Sequence, residues 1–503
     1  MLSRLLGRFG LAVIAAALGA EPAGRHWWER EPLRIADVVT SFGQIAERPP
    51  EPWVALKMRQ FYNTEHLEIM NLAKGLDDQG FFFKSQVAGK PRVIFSAAGH
   101  KPWTFSVLPE AELRLLYAGT IANAASVWFG RWPAEIEQPE MQALAEMNRF
   151  LARNAAYYQD TRSEAKVALV WSDTTANFYT GSDAQLIELE RVPQRSEVGN
   201  LNGEFSGLAE ALVRTQTPFD VIDDVTLEKE DLRRWSAIML PNVACMSQRT
   251  ADRLQEYVRQ GGRLLATFET SLYDEVGQPR RDFALAEVFG VSFGGRIIGP
   301  KRWDFMKPRA AEPLLEGLGR DLVPAPVYHL RVRPQGARVL LQFTKPLEGV
   351  YDGIPELSDD PALLVREFGQ GKVVYASADL GNGIWSFRLG EFLRLMRNAV
   401  SELAPPPVVI ENAPASVEVV LRSQQQGRRR LLHLVNFTGE MTRPIQKIVP
   451  LRDVRITLTG GAGVRRVHTL VTPRRLPFEK DQDGRLRVVL PGMAEYEVVV
   501  FEQ

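Results

Sequence analysis

The sequence has 503 residues, too many for one hydrophobic core and enough for about three domains. Hydrophobic residues make up 45% and charged residues 24%, and 61 basic residues balance 61 acidic ones, so the net charge is zero. That balance argues against nucleic acid as a partner and against an acidic solvating tail, and it suits an uncharged partner such as carbohydrate. The single cysteine, Cys245, cannot form an intramolecular disulfide, and the histidines at 26, 66, 100, 329, 433 and 468 have no ligand-like spacing. No metal and no cofactor are expected.

Residues 1–20 place Arg4 and Arg8 before an apolar run, Gly10 to Ala20, that ends in small residues. This is the layout of a secretory signal peptide, and it fits a barrel remnant, a buried strand and helix end of an α/β unit, equally well. The first reading implies export to the periplasm or beyond, the second a cytoplasmic protein. The run is too short for a stable membrane anchor.

Before residue 160 the chain offers strands at 35–39, 91–96 and 124–129, with a fourth in 11–17, each associated with a helix. One helix starts at Pro109-Glu-Ala-Glu-Leu113, with Pro and Glu in its first turn as helix starts favour. Glu65 and Glu68 fall in a helical, solvated segment.

From Lys166 to Ala404 apolar strands alternate with amphipathic helices. Strands are expected at 166–171, 218–222, 237–241, 263–267 and 371–376, and helices at 201–215, 248–260 and 389–403. Gly261-Gly262 supplies a stop for the second of these helices. Such alternation predicts a parallel, doubly wound sheet. After Ala404-Pro-Pro-Pro407 the period becomes two, in 416–421, 430–435, 454–458 and 496–501, which predicts a small antiparallel β-sandwich.

Three blocks carry a family resemblance. Gly99-His-Lys-Pro-Trp-Thr-Phe-Ser-Val-Leu-Pro-Glu-Ala-Glu-Leu113, with Asn123-Ala-Ala-Ser-Val-Trp128, resembles the last two barrel strands of glycosyl hydrolases related to family-42 β-galactosidases. Leu240-Pro-Asn-Val-Ala-Cys-Met-Ser247, Tyr257-Val-Arg-Gln-Gly-Gly262 and Thr270-Ser-Leu-Tyr-Asp-Glu275 with Arg281-Asp-Phe-Ala-Leu-Ala286 are similar to the β-galactosidase trimerisation domain. Leu434-Val-Asn-Phe-Thr438 and Ala494-Glu-Tyr-Glu-Val498 resemble the C-terminal β domain. The resemblance implies an α/β protein in three parts. Residues 21–160 would be a partial (β/α) barrel, 161–404 a flavodoxin- or amidotransferase-like doubly wound sheet, and 405–503 a C-terminal antiparallel β-sandwich. It also implies a glycoside hydrolase-like protein, acting on or binding carbohydrate, that assembles as a homo-oligomer, a trimer in the resembling family. The alternative is a non-catalytic sugar-binding or oligomerisation module.

A complete barrel takes about 250 residues, so the first 160 hold only its closing half. Hydrolysis needs two carboxylates flanking the bond. Neither Thr40-Ser41-Phe42 after Val39 nor Ala97-Ala98-Gly99-His100 after Ser96 supplies one, and the catalytic apparatus is expected to be incomplete. The remaining acidic candidates are Glu110 and Glu112, which a helix first turn also explains. His100, Lys101 and Trp103 follow one barrel strand and Trp128 ends another, where substrate would lie, and indole suits the apolar face of a sugar; aromatic packing under a loop is the alternative. In the resembling domains the loop that holds Tyr273, Asp274 and Arg281 approaches the barrel mouth or a neighbouring subunit, and a plain solvated loop fits these residues equally well. Cys245 lacks the glycines of a nucleophile elbow and is expected to be a buried apolar filler.

Overall fold

Pro109, with φ of −55°, precedes two acidic residues, and the chain turns helical at once, since both features favour the first turn. In the computed structural model this helix, α1 (Glu110–Ala122), connects two parallel strands, β1 (Val93–Ala97) and β4 (Ser126–Gly130), paired from Val93↔Ser126 to Ala97↔Gly130. A short antiparallel pair, β2 (Gly99–His100) with β3 (Trp103–Val107), sits between β1 and α1. Helices α2 (Met141–Arg153) and α3 (Ala155–Tyr158) follow. The structure describes residues 93–100, 103–130, 137–179, 198–301, 304–309, 311–318, 322–347, 349, 353–440 and 444–503. All belong to one unit, Met58–Gln503, of the two into which the chain divides, the other being Met1–Lys57. The segment 1–20, the expected strands at 11–17 and 35–39, Glu65, Glu68 and Lys101 lie outside the described residues.

A two-residue strand, β5 (Arg162–Ser163), leads into the middle region. There β6 (Val167–Val170) is an apolar run with every residue buried, the mark of a strand covered on both faces. It is followed by α4 (Asp173–Phe178), α5 (Leu201–Arg214), β7 (Phe219–Ile222), α6 (Asp224–Lys229) and β8 (Ala237–Leu240). Then come α7 (Gln248–Arg259), β9 (Arg263–Thr267) and the short α8 (Ala286–Phe289). Side-chain caps start the helices where the sequence supplies a short polar residue. Asn200 accepts from Gly203 N at 2.7 Å, and Ser247 accepts from Thr250 N at 3.1 Å.

The next stretch departs from the expected alternation. It is β10 (Val291–Ile298), β11 (Phe305–Pro308), β12 (Val323–Pro324), β13 (His329–Pro334), β14 (Arg338–Thr344) and the long β15 (Leu357–Phe368). It returns to β16 (Gly371–Ala376), α9 (Leu380–Phe387) and α10 (Gly390–Leu403). The sheet has nine strands in the order β12-β11-β14-β15-β16-β9-β8-β6-β7. Only β16, β9, β8, β6 and β7 pair in parallel, and the four strands beyond β16 are antiparallel. The expectation of a parallel sheet across 166–404 is therefore corrected to a mixed one. Phe368 pairs with Gly371 across a tight turn, and a hairpin forces an antiparallel partner where a helical crossover would have given a parallel one. Cores fill both faces, one under α5, α9 and α10, the other under α6, α7 and α8.

The C-terminal strands form two antiparallel sheets. β17 (Val408–Glu411), β20 (Leu451–Leu458), β24 (Leu486–Met493) and β23 (Phe478–Lys480) make one. β22 (Arg474–Arg475), β21 (Arg466–Thr469), β25 (Tyr496–Glu502), β19 (Arg429–Asn436), β18 (Val417–Gln424) and β5 make the other. Alternate residues face a shared core containing Val419, Leu432, Ile456, Val488 and Phe501. The opposite face of the larger sheet, through Leu431, Val435, Val498 and Val500, packs against α1 and α2. Strand β5, contributed from before the middle region, completes that sheet by pairing with β18.

Candidate functional site at the carboxyl edge of the parallel strands

In chain order the parallel strands are β6, β7, β8, β9 and β16, and in space they run β7-β6-β8-β9-β16. The order reverses between β6 and β8, the place where open α/β sheets build ligand sites beyond the carboxyl ends of their strands. Each of these strands delivers polar residues to that edge: Ser172 after β6, Asp224 after β7, Asn242 after β8, Glu269 after β9 and Asp379 after β16.

At the reversal itself Cys245 N donates to Thr175 Oγ1 at 3.1 Å, and Asp224 accepts from Thr174 N at 2.8 Å and from Ser172 Oγ at 3.2 Å. Burial lifts the Asp224 carboxyl to about 6 against those donors. It likewise pushes the Cys245 thiol up to about 12, and the fully buried thiol is an inert filler here.

Next along the edge, Glu269 is 2% exposed and accepts from the Tyr179 hydroxyl and, at 3.1 Å, from the Tyr273 hydroxyl. Desolvation raises its pKa, and the two phenols oppose the shift by stabilising the carboxylate. Asn242 holds this loop from below, accepting from Glu269 N at 3.2 Å and donating to Gly199 O at 3.1 Å. Three residues other than glycine take left-handed backbone here, Asn242 (φ 44°), Phe268 (φ 50°) and Ser271 (φ 67°). Such clustering stores strain that the surrounding hydrogen bonds must hold.

A second carboxyl pair lies where α5 meets α9. Glu204 accepts from Thr267 Oγ1 at 2.8 Å and from Asn382 N at 2.6 Å, and Asn382 Nδ2 donates to Asp379 at 3.3 Å. Both carboxyls are fully buried. Desolvation, then repulsion from Asp379, raises Glu204 to about 8, while burial raises Asp379 to about 7. The helices meet this closely because Gly207 and Gly381 face each other: a Cβ on Gly207 would lie 1.8 Å from the Gly381 carbonyl oxygen.

Glu110 and Glu112, singled out in the sequence, do not converge on one site. Glu110 is exposed and bonds Arg114 at 2.9 Å, whereas Glu112 is fully buried and accepts from Ile445 N at 2.7 Å. Two residues apart on a helix, they point in different directions. His100 and Trp103 pair across β2 and β3, Trp128 is half-buried in β4 opposite Phe95, and Tyr273 belongs to the Glu269 cluster. Asp274 caps its own loop by accepting from Val276 N and Gln278 N, and Arg281 is exposed. Glu269 and Asp379 were missed, although both follow strands that the sequence marks. Position after a parallel strand was the available signal. Glu204, inside a helix, gave none. Among the described residues no group of three or more His, Cys, Asp or Glu could hold a metal ion, and no helix is long and apolar enough to cross a membrane.

A mixed α/β sheet of this topology, in one unit with paired antiparallel sheets, places the chain among mixed α/β proteins. Residues 165–393 match the family model of the beta-galactosidase trimerisation domain. Among solved structures, the alpha-L-fucosidase isoenzyme 2 from Paenibacillus thiaminolyticus matches with a TM-score of 0.64 at 18% identity, over 83% of this chain and 61% of that one. The beta-galactosidase from Bacillus circulans sp. alkalophilus matches with a TM-score of 0.59 at 19% identity, over 83% and 56%. A GH42 beta-galactosidase from G. stearothermophilus matches with a TM-score of 0.56 at 17% identity, over 83% and 55%. The chain thus spans 55% to 61% of the length of these structures. It is related to glycoside hydrolase family 42 at low sequence identity, through a trimerisation domain and a shared fold.

Proposed function

We propose that this is a glycoside hydrolase-like protein that binds carbohydrate and assembles with copies of itself, with β1, α1 and β4 as closing elements of a (β/α) barrel and residues 405–503 as a β-sandwich. The observation that carries this reading is the trimerisation-domain match over 165–393, within a chain whose fold follows sugar-cleaving enzymes over 83% of its length. The sugar would lie beyond the carboxyl ends of β1 and β4, where the β2–β3 pair follows β1, with the half-buried Trp128, in the middle of β4, supplying an indole. Binding is favoured over cleavage by this chain alone. Glu110 is tied to Arg114 and Glu112 to the Ile445 backbone, so neither is free to protonate a leaving group or attack an anomeric carbon.

Isothermal calorimetry of the full chain against a panel of neutral oligosaccharides, with aryl glycosides assayed in parallel, tests this. The expected result is saturable binding that Trp128→Ala weakens about tenfold, with no glycoside cleaved. Failure of every oligosaccharide to bind would sink the reading, and cleavage would establish the hydrolase in its place. Sedimentation at micromolar concentration should show an oligomer, and a monomer would remove the assembly role.

A further inference from the structure

Behind β4 the fold leaves a cavity of about 580 Å³ that the sugar site does not use. Its walls follow from periodicity. Val127 and Phe129 share one face of β4, Tyr117 and Ile121 lie one turn apart on α1, and Met141, Leu144, Asn148 and Leu151 line one side of α2. The volume lies inside the range of about 300–1,000 Å³ typical of small-molecule sites. Among the described residues, none of those that line it is Asp, Glu, Lys, Arg or His. A charged ligand would find no counter-ion among these side chains.

Polar and apolar surface line the cavity about equally; Ser126 contributes a hydroxyl, and two further polar groups belong to hydrogen-bonded side chains. Tyr117 Oη donates to Asn148 Oδ1 at 2.7 Å, which leaves a phenol oxygen lone pair and the Asn148 amide as the polar groups at that position. The other is Tyr158, which heads a chain of hydrogen bonds into the C-terminal sheet. Its Oη lies 3.0 Å from Tyr496 Oη, which lies 2.7 Å from His433 Nδ1. His433 is 1% exposed, and its Nε2 is buried with no partner. Burial, with Arg422 adding repulsion, drops its pKa to about 3, so the ring is neutral. A neutral ring permits both directions of the chain. With the proton on Nδ1, each hydroxyl donates outward and Tyr158 offers its O–H to the cavity. With the proton on Nε2, each donates inward and Tyr158 offers a lone pair. A hydroxyl group answers either state, because it both donates and accepts.

We propose that this cavity binds an uncharged small molecule that joins an aromatic ring to a hydroxyl group, of the phenol or aryl-alcohol class, with its ring against Phe129 and Leu144 and its hydroxyl on Tyr158. The site stands on the helix side of β4 and does not depend on carbohydrate binding at the strand ends. The probe is 2-naphthol, titrated into the full chain by fluorescence, with naphthalene as the partner lacking the hydroxyl. Saturable submillimolar binding of 2-naphthol is expected, with naphthalene about tenfold weaker, the ratio that one hydrogen bond of ordinary strength supplies.

Leu144→Trp, which fills the cavity, should abolish both, and Tyr158→Phe should reduce 2-naphthol to the level of naphthalene. Circular dichroism checks that each variant is folded. If Leu144→Trp does not fold, Ala125→Leu fills the same space from the strand side. No saturable binding, or unchanged binding in the folded cavity-filling variant, overturns the site. Equal affinity for the two probes overturns the hydroxyl contact.

Discussion

The carboxyl edge of the parallel strands and the cavity behind β4 are opposites. The first holds Asp224, Glu269, Glu204 and Asp379, all with raised pKa values, and fills the reversal point with its own hydroxyls, phenols and amides. The second has about 580 Å³ of room and, among the described residues, no acid or base on its walls. Perturbed acids are therefore not by themselves a mark of a substrate site here. At the edge they report burial and mutual support of loops, while the described walls of the cavity behind β4 carry no such acids.

The largest expected effect would break this comparison from the edge side. Unfolded Glu and Asp titrate near 4.3 and 3.9, while Glu204 and Asp379 titrate at about 8 and about 7 in the fold. Between those limits the folded state keeps protons that the unfolded chain has released. Stability is then full below about pH 4 and falls as pH rises to about 8, by roughly 5 kcal/mol through Glu204 and roughly 4 kcal/mol through Asp379. Asp224, raised to about 6, acts in the same direction. Urea unfolding at pH 5 and pH 9 should show the loss, and Glu204→Gln should remove about half of it. A pH-independent midpoint would mean that the carboxyls are solvated and open to ligand.

Gly207→Ala comes next. Its Cβ would force α5 from α9 and strip Glu204 of the Asn382 N–H, for about 3 kcal/mol in denaturant titration. Glu112→Gln, which weakens the buried acceptor of Ile445 N, should cost about 1–2 kcal/mol by thermal unfolding. Glu110→Gln should change stability by less than about 0.5 kcal/mol, because its bond to Arg114 is exposed. The last two sharpen the contrast within α1: a large effect of Glu110 on sugar binding with none on stability would return it to the site.

What the sequence made legible was local. Helix α7 was readable to its ends because Ser247 caps it and Gly261, at φ 106°, releases it, two events decided within a turn of the chain. Strands β6, β8, β9 and β16 were readable because unbroken apolar runs have few other homes. The strands from β10 to β15 were not, since their bulges and tight turns blur period two, and their antiparallel sense is set by turns rather than by composition. Nor could Glu112 be separated from an ordinary first-turn acid, because its partner, Ile445, is 333 residues away. The Glu204 cluster likewise joins residues 178 apart, from Glu204 to Asn382.

The pairing of β5 with β18 has a consequence for dividing this molecule. Arg422 reaches Thr161 at 2.7 Å, and Glu164 N donates to Leu421 O at 3.0 Å, so the connecting stretch belongs physically to the last hundred residues. A fragment cut at the Ala404-Pro405 break would lose this strand and leave β18 with an open, hydrogen-bond-hungry border. Expressed alone it should self-associate, and supplying residues 156–166 as a synthetic peptide should restore a dispersed species.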